Sequence, residues 1–315
     1  MRLCTFNVEN LFTRYLFAKG VDRAHAARHG FQSEDLRFRL ADPASKQLTA
    51  ALMQRTDADV FALQEVEDLD TLKAFRDRYL GGREAYPHAL VIDGNDPRRI
   101  DVGVLSRFPI VHARTWQHLW NEDGPVFDRD CLEVDVESPT LGRVTIYVNH
   151  FKSMRAPRGA QGPGRRLTRD RRVAQARRVR QLVEARFDDP STARFVVAGD
   201  LNDHLAATEE GTTGIADLVR WQAVENVLDR LHARDRWTHH FPGSRRHGLP
   251  EAYRQLDYLL VSRALARANP HPPLVFREGL PKRARRYTGA REPGTGRNRP
   301  KASDHCPLCF DLLSR

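Results

Sequence analysis

The sequence predicts an α/β fold organised as one domain over residues 1–315. Two observations carry that expectation. Short apolar runs of strand length alternate along the chain with longer stretches whose apolar residues recur at helical spacing. Several of the apolar runs end in an acid, an asparagine or a histidine, as buried strands do when they deliver polar side chains to one rim of a sheet. At 315 residues the chain can bury a large core. Its two glycine-rich stretches fall between the apolar runs rather than at a boundary, so neither reads as a linker, and no fixed-period repeat is visible.

The elements follow in order. Leu3 to Val8 is a strand, and the polar, basic segment from Thr13 to Leu40 shows no clear period. Pro43 to about Arg55 reads as a helix with Leu48, Ala51 and Leu52 on one face. Asp59-Val60-Phe61-Ala62-Leu63-Gln64-Glu65 is a buried strand that ends in a carboxylate. A helix over Asp70–Tyr79 leads to strands at Ala89–Ile92 and Val102–Ser106, and Arg107-Phe108-Pro109-Ile110 turns into another. Cys131–Val136 and Val144–Asn149 alternate as strands do, the second ending in Asn149-His150-Phe151-Lys152-Ser153. A helix over Thr168–Phe187 precedes Phe195-Val196-Val197-Ala198, a buried strand that ends at Gly199-Asp200-Leu201-Asn202-Asp203. Gln255 to Val261 is an apolar strand carrying one acid, Asp257, and Cys306 to Leu312 closes the chain after Ser303-Asp304-His305.

Two loops stand out by charge. Residues 154–172 contain seven arginines and one acid, with Gly159, Gly162, Pro163 and Gly164 predicting an exposed, mobile segment. Residues 277–301 contain nine basic residues against Glu278 and Glu292. The whole chain carries 51 Lys and Arg against 41 Asp and Glu, a net +10, a field that attracts polyanions such as nucleic acid or anionic lipid. Four cysteines in so long a chain make no disulfide framework. Cys306-Pro-Leu-Cys309 is formally a C-x-x-C, but on a strand its two thiols point to opposite faces, so its expected role is structural. No apolar stretch reaches the ~20 residues of a membrane-spanning helix and no signal segment is visible, which gives a cytoplasmic expectation with no stable membrane insertion.

The residue types at the strand ends suit phosphoryl chemistry. Carboxylates and a carboxamide bind a hard divalent cation through oxygen. Such a cation neutralises non-bridging phosphate oxygens and activates water, and a histidine can supply or hold a proton. Taken singly, each candidate has an ordinary explanation: Glu65 as a helix-start acid, Asp200 and Asn202 as a turn, His150 as a core histidine. Asp257 is harder to dismiss, because a carboxylate inside an apolar strand requires a partner.

Taken together, these segments resemble the endonuclease/exonuclease/phosphatase superfamily, the DNase-I-like fold. The resemblance rests on Thr5-Phe6-Asn7-Val8-Glu9-Asn10, Ala62-Leu63-Gln64-Glu65-Val66, the run Asp101 to Ile110, Val148-Asn149-His150-Phe151-Lys152-Ser153, Gly199-Asp200-Leu201-Asn202-Asp203, Leu256-Asp257-Tyr258-Leu259-Leu260 and Ser303-Asp304-His305. These motifs occur in the family order and span nearly the whole chain. The resemblance implies a four-layer α/β sandwich, two mixed β-sheets face to face with helices outside and the site at one rim. It implies Glu65 as principal ligand of Mg²⁺ (or Mn²⁺), with Asn7 and Asp304 helping and Glu9 as a further candidate at or near the metal. Asp200 would orient or deprotonate the attacking water, and Asn202 would grip a phosphate oxygen. His305, held by Asp257, would polarise the phosphate or handle a proton. His150 would contact the phosphate or protonate the leaving oxygen. The basic loops depart from the core pattern, and no motif can be assigned between Asp203 and Leu256.

The fold does not name a substrate. The sixteen basic residues of the two loops, beside the expected site, favour a nuclease, most readily on DNA, with RNA open. Lys152, Arg155 and Arg158 are the expected phosphate contacts. The alternative is a phosphatase or phospholipid phosphodiesterase of the same superfamily. That would call for an apolar surface insertion, for which Trp116, Trp120 and Phe127 are candidates in a polar context. A binding module that keeps the fold is disfavoured, because every expected site residue is present.

Overall fold

The computed structural model describes residues 1–17, 33–244 and 248–313. Strand β1 (Arg2–Leu11) leads to an antiparallel pair, β2 (Thr13–Phe17) and β3 (Ser33–Leu40), which form the two ends of the Thr13–Leu40 segment that shows no period in sequence; its residues 18–32 lie outside the described set. Next come α1 (Pro43–Thr56), β4 (Val60–Val66), α2 (Leu69–Tyr79), the single turn α3 (Gly82–Ala85), β5 (His88–Val91), β6 (Asp101–Ser106) and β7 (Ile110–Arg114). The two-residue strands β8 (Trp120–Asn121) and β9 (Gly124–Pro125) precede β10 (Cys131–Ser138) and β11 (Gly142–His150). The second half holds α4 (Gly164–Leu167), α5 (Arg169–Arg186), β12 (Phe195–Asp200), α6 (Ala216–Val219), β13 (Val224–Asn226), β14 (His239–Phe241), β15 (Ala252–Arg254), β16 (Asp257–Ser262), α7 (Arg263–Ala268), β17 (Leu274–Val275) and β18 (Leu308–Asp311).

Two six-stranded mixed sheets form the centre, in the orders β17-β18-β1-β4-β6-β5 and β13-β16-β12-β11-β10-β7. Period-two alternation builds the layers. Leu3, Val60, Ala62, Val102 and Val104 of the first sheet meet Val134, Ile146, Val148, Val196 and Leu259 of the second between the sheets. The alternate residues Cys4, Phe6, Phe61 and Leu63 face Leu48, Leu52 and Met53 of α1 and Leu72 and Phe75 of α2. On the far side, Tyr147, Phe195, Val197 and Tyr258 face Ala176, Val179, Leu182 and Val183 of α5. The result is the four-layer sandwich that the motifs imply. Asp42 and Asp68 cap α1 and α2 by accepting from the backbone N–H of Ser45 and Thr71, which fixes where the helices start.

Strand direction explains how distant segments converge. β1 and β4 run parallel, as do β11 and β12, so each pair brings two carboxyl ends to one rim. β18 is antiparallel to β1 and β16 is antiparallel to β12, so these two start at the rim where the others finish. Gly199 allows the closest approach: its φ is +142° and a Cβ there would lie 1.9 Å from Asn149 O, so only glycine fits beside β11.

The basic loops differ from expectation. Arg165, on α4, and Arg172, in the first turn of α5, are fully buried, both ion-paired to Asp203 at 2.8 and 2.9 Å. They are structural ties, not an exposed arm, because a buried guanidinium requires a partner and the loop folds around one. In the second loop Arg299 and Lys301 pair with Glu9, and Arg277 lies over the Trp237 ring and donates to Trp237 O. The loops therefore present fewer free cations than their composition suggests. Cys306 packs with Trp237 and Leu280, while Cys309 faces α1 and α2 with Cys4; all four cysteines are buried free thiols. Phe127 is buried and Trp116 donates to Glu133, so of the three aromatic candidates for an insertion only Trp120 is well exposed. Among the described residues no helix is long and apolar enough to cross a membrane.

Candidate active site

The rim gathers the strand-end residues into one chain of contacts. Asn7, buried in β1 where its regular pairing with β4 ends, donates from Nδ2 to Glu65 Oε1 at 3.3 Å and to Asp200 Oδ2 at 3.1 Å. Glu65 sits in a bulge of β4 with φ of 65°, and Glu9, Asn10 and Asn202 are likewise left-handed at 48°, 58° and 50°. Such backbone is uncommon outside glycine and is held here by specific bonds. Asn10 N donates to Glu65 Oε2 at 2.9 Å. Lys46, buried on α1, donates from Nζ to the carbonyls of Val8 and Glu9 at 2.6 and 2.8 Å, fixing the turn that carries Asn10. Burial pulls the Lys46 ammonium down to about 8.

Asp200 ends β12 and is held by Asn202, whose backbone N–H and Nδ2 donate to it at 2.8 and 3.1 Å. Its Oδ2 stands 3.6 Å from His150 Nε2 and 3.8 Å from His305 Nε2. Burial pushes the Asp200 carboxyl up to about 7, with His305 opposing and Asp257 adding to the rise. His305 donates from Nδ1 to Asp257 at 2.9 Å, which supplies the partner the buried Asp257 requires. Burial opposes charge on His305, but Asp257 and Asp200 outweigh it and hold the imidazole well above its ordinary value. His150 goes the other way: burial, then Arg129 and His305, hold it well below, so it is neutral.

Glu65 is the carboxylate best placed for a divalent cation. It is half-buried and makes no ion pair with a described residue, and the Asn7 Nδ2 group ties it to Asp200 while Asn7 Oδ1 accepts from Glu9 N, so two carboxylates of hard-ligand type are held to one carboxamide. Asp304 shares no hydrogen bond with Glu65. It is joined to that group through Glu9, which accepts from Asp304 N at 3.1 Å and donates from its own N to Asn7 Oδ1 at 3.1 Å. The Glu9 carboxylate is itself compensated by Arg299 at 2.8 Å and Lys301 at 2.9 Å. Burial opposes charge on Asp304, yet Lys301, His305 and His239 hold it well below the usual carboxylate range. Two groups of imidazole and carboxylate atoms lie within 4.8 Å of one another, Asp200 with Asp257 and His305, and His239 with Asp304 and His305.

Of the expected phosphate contacts, Lys152 and Arg155 line a cavity of about 300 Å³ beside the rim, with Lys152 Nζ 3.5 Å from Asp128. Arg158 is exposed and does not line it. A larger cavity, about 370 Å³, lies at the opposite end of the second sheet around Trp221 and Arg263 and touches none of these residues.

Several residues at the site carried no sequence signal. Arg129 is 1% exposed, contacts His150 Nε2 through Nη2 at 3.3 Å, and has Nε and Nη1 without a hydrogen-bond partner among the described residues. Thr238 and His239 come from the stretch without a motif. Thr238 Oγ1 accepts from the backbone N–H of Leu256 and Asp257, both at 3.1 Å, and the His239 ring lies 4.6 Å from that of His305. Arg129 and His239 look in sequence like any loop arginine or strand histidine; only the fold gives them neighbours.

The sequence matches the Endonuclease/Exonuclease/phosphatase family over residues 4–305. Comparison with curated proteins gave no match. Among solved structures, truncated Caenorhabditis elegans TDP2 is similar at 17% identity and a TM-score of 0.57, covering 98% of this chain and 95% of that one. The mannosyl-6-phosphatase of Bacteroides thetaiotaomicron is similar at 16% identity and 0.55, covering 99% of each chain. Danio rerio TDP2 complexed with a single-strand DNA product is similar at 16% identity and 0.54, covering 98% of this chain and 97% of that one. At these identities the likeness concerns the fold.

Proposed function

The chain belongs to the endonuclease/exonuclease/phosphatase family, whose members hydrolyse phosphoester bonds, and we propose that it is a divalent-metal-dependent phosphodiesterase acting on nucleic acid, DNA in the first instance. The observation that carries the proposal is the convergence of Glu65, Asn7, Asp200 and His305, with Asp200 3.8 Å from His305 and bridged to Glu65 by Asn7. Glu65 and Asn7, with Asp304 behind Glu9, would hold Mg²⁺ or Mn²⁺. When bound, that ion would neutralise the non-bridging oxygens of the phosphate.

The chain's own residues then divide the work. Asp200, fixed by Asn202 and raised toward neutrality by burial, takes the proton of the attacking water. His305, charged because Asp257 holds its Nδ1, donates from Nε2 to a phosphate oxygen. His150 is neutral, and its Nε2 accepts from Arg129, because a guanidinium can only donate. With its Nε2 lone pair taken by Arg129, His150 has no proton at that nitrogen for a leaving oxygen or a phosphate oxygen, so of its two expected roles neither is favoured and its contact positions the Arg129 guanidinium. The two unpartnered N–H groups of Arg129 make it a candidate anion contact that the sequence did not suggest. Support for nucleic acid comes from the net charge of +10 and from the basic side chains around the rim. A structural relative holds a single-strand DNA product.

The test is turnover of labelled double-stranded DNA, single-stranded DNA, RNA and bis(p-nitrophenyl) phosphate with and without Mg²⁺ or Mn²⁺. Cleavage of nucleic acid that needs the ion and weakens as salt rises is the expected result. Headgroup release from liposomes with nucleic acid untouched would move the assignment to a phospholipid phosphodiesterase. No turnover with any divalent ion would overturn it.

A further inference from the structure

The cavity beside His150 has a built interior that the scissile site does not use. Its walls include Asp96 and Arg98 from the β5–β6 connection, Asp128, and Lys152 and Arg155 from the segment that follows β11. Arg98 grips Asp96 through Nη2 at 2.7 Å and Nε at 3.0 Å. Arg129 lies between this cavity and the catalytic rim. Its Nη2 meets His150 on one side, and on the other its Nε stands 3.5 Å from Asp96 and its Nη1 3.9 Å from Asp128. Those two distances are too long for hydrogen bonds, and both nitrogens are buried and without a hydrogen-bond partner. Asp128 is further shared with Lys152 at 3.5 Å and Arg171 at 3.0 Å. Five cations therefore meet two carboxylates, and Arg155 makes no ion pair with a described residue. Arg98 and Lys152 line the cavity paired to Asp96 and Asp128, and the excess of cations over carboxylates there suits an anion.

We propose that this cavity is a second phosphate subsite, which takes the phosphate next to the scissile one and so makes the preferred substrate a chain with at least two successive phosphates. The inference rests on the phosphodiesterase assignment above and narrows it. At about 300 Å³ the space accommodates a phosphate with part of its sugar. Lys152 lies two residues beyond His150 in sequence, so the chain itself ties the subsite to the scissile position. A guanidinium pair reads phosphate oxygens bidentately, whereas a single-phosphate ester would leave Arg98 and Arg155 unused. The readout is therefore substrate length, not base identity.

The experiment compares kcat/KM, with Mg²⁺, for bis(p-nitrophenyl) phosphate, TpT, pTpT and TpTp, using the full chain and its Arg98→Ala, Arg98→Lys and Arg155→Ala variants, each checked by thermal unfolding. One of the two doubly phosphorylated dinucleotides is expected to exceed TpT at least tenfold, mainly through KM. That ratio is expected to collapse toward one in Arg98→Ala and Arg155→Ala and to survive in part in Arg98→Lys. Equal turnover of TpT, pTpT and TpTp overturns the subsite and leaves the phosphodiesterase assignment standing. A ratio unchanged in both alanine variants overturns it as well. Absence of turnover on all four substrates overturns the assignment itself, and the subsite with it.

Discussion

His305 donates its Nδ1 proton to the fully buried Asp257 at 2.9 Å while its Nε2 stands 3.8 Å from Asp200. One imidazole thus separates two carboxylates, one that charges it and one that works beside it. Asp257→Asn removes the group that raises the imidazole's proton affinity. Because the active form is imidazolium, the basic limb of the pH–rate profile is expected to move to lower pH by more than one unit. kcat at neutral pH is expected to fall on the order of 10²-fold. Histidine titration by NMR on the same variant checks the cause: the His305 signal should titrate lower than in the parent.

The base side of the profile has the opposite sign. Asp200 must be ionised to accept a proton, and burial pushes it up to about 7, so activity is expected to climb with pH through neutrality. A cation beside Glu65 and Asn7 favours the carboxylate, so this acid limb should slide to lower pH as Mg²⁺ is raised. An acid limb that ignores Mg²⁺ concentration would detach Asp200 from the cation's field.

Asp101, at the start of β6, is buried with Oδ1 unpartnered, and burial pushes its carboxyl up to about 7. The folded state therefore binds its proton more tightly than the unfolded chain does, where an aspartate titrates near ~4. Between those values the folded state carries more protons, so stability is expected to fall as pH rises from about 4 to 7. Asp101→Asn should flatten that part of the curve. Urea unfolding of both proteins at several pH values in this window gives the comparison.

Asp203 is the shared acceptor of Arg165 Nε and Arg172 Nε and also takes the backbone N–H of Gly214 at 2.7 Å. Asp203→Asn leaves two buried guanidinium groups without a counter-charge. The expected loss is about 3–5 kcal/mol in chemical unfolding. Restoring the balance by Arg172→Met in the same chain should recover part of it. Both changes sit behind the Asp200–Asn202 turn, so a stability loss here should come with a drop in kcat.

Much of the fold was legible because buried strands announce themselves. Val60 to Leu63 and Phe195 to Ala198 are continuous apolar runs, and the polar residues that follow them, Glu65 and Asp200, lie at the rim in the structure. The grouping of Asn7, Glu65, His150, Asp200, Asn202, Asp257 and His305 follows from strand direction, which ordered motifs encode well. What the sequence could not show was compensation. Composition counts Arg165 and Arg172 as free positive charge, and only the fold reveals that Asp203 consumes both. Likewise nothing in the sequence pairs Glu9 with Arg299 and Lys301, some 290 residues away, which close on it in the fold. Arg129 and Lys46 act through buried contacts made from a loop and a helix to segments distant in sequence, and no periodicity marks such contacts.

The most direct measurement is Mg²⁺-dependent hydrolysis of bis(p-nitrophenyl) phosphate by the full chain, by Glu65→Ala and by His305→Ala, with isothermal titration of Mn²⁺ into each. The expected result is activity abolished by EDTA and restored by Mg²⁺, a fall of on the order of 10³-fold or more in both variants, and Mn²⁺ binding lost only in Glu65→Ala. Parent-like turnover in a folded Glu65→Ala protein, or undiminished Mn²⁺ binding by it, would contradict the assignment of this rim as a cation-assisted phosphodiesterase site.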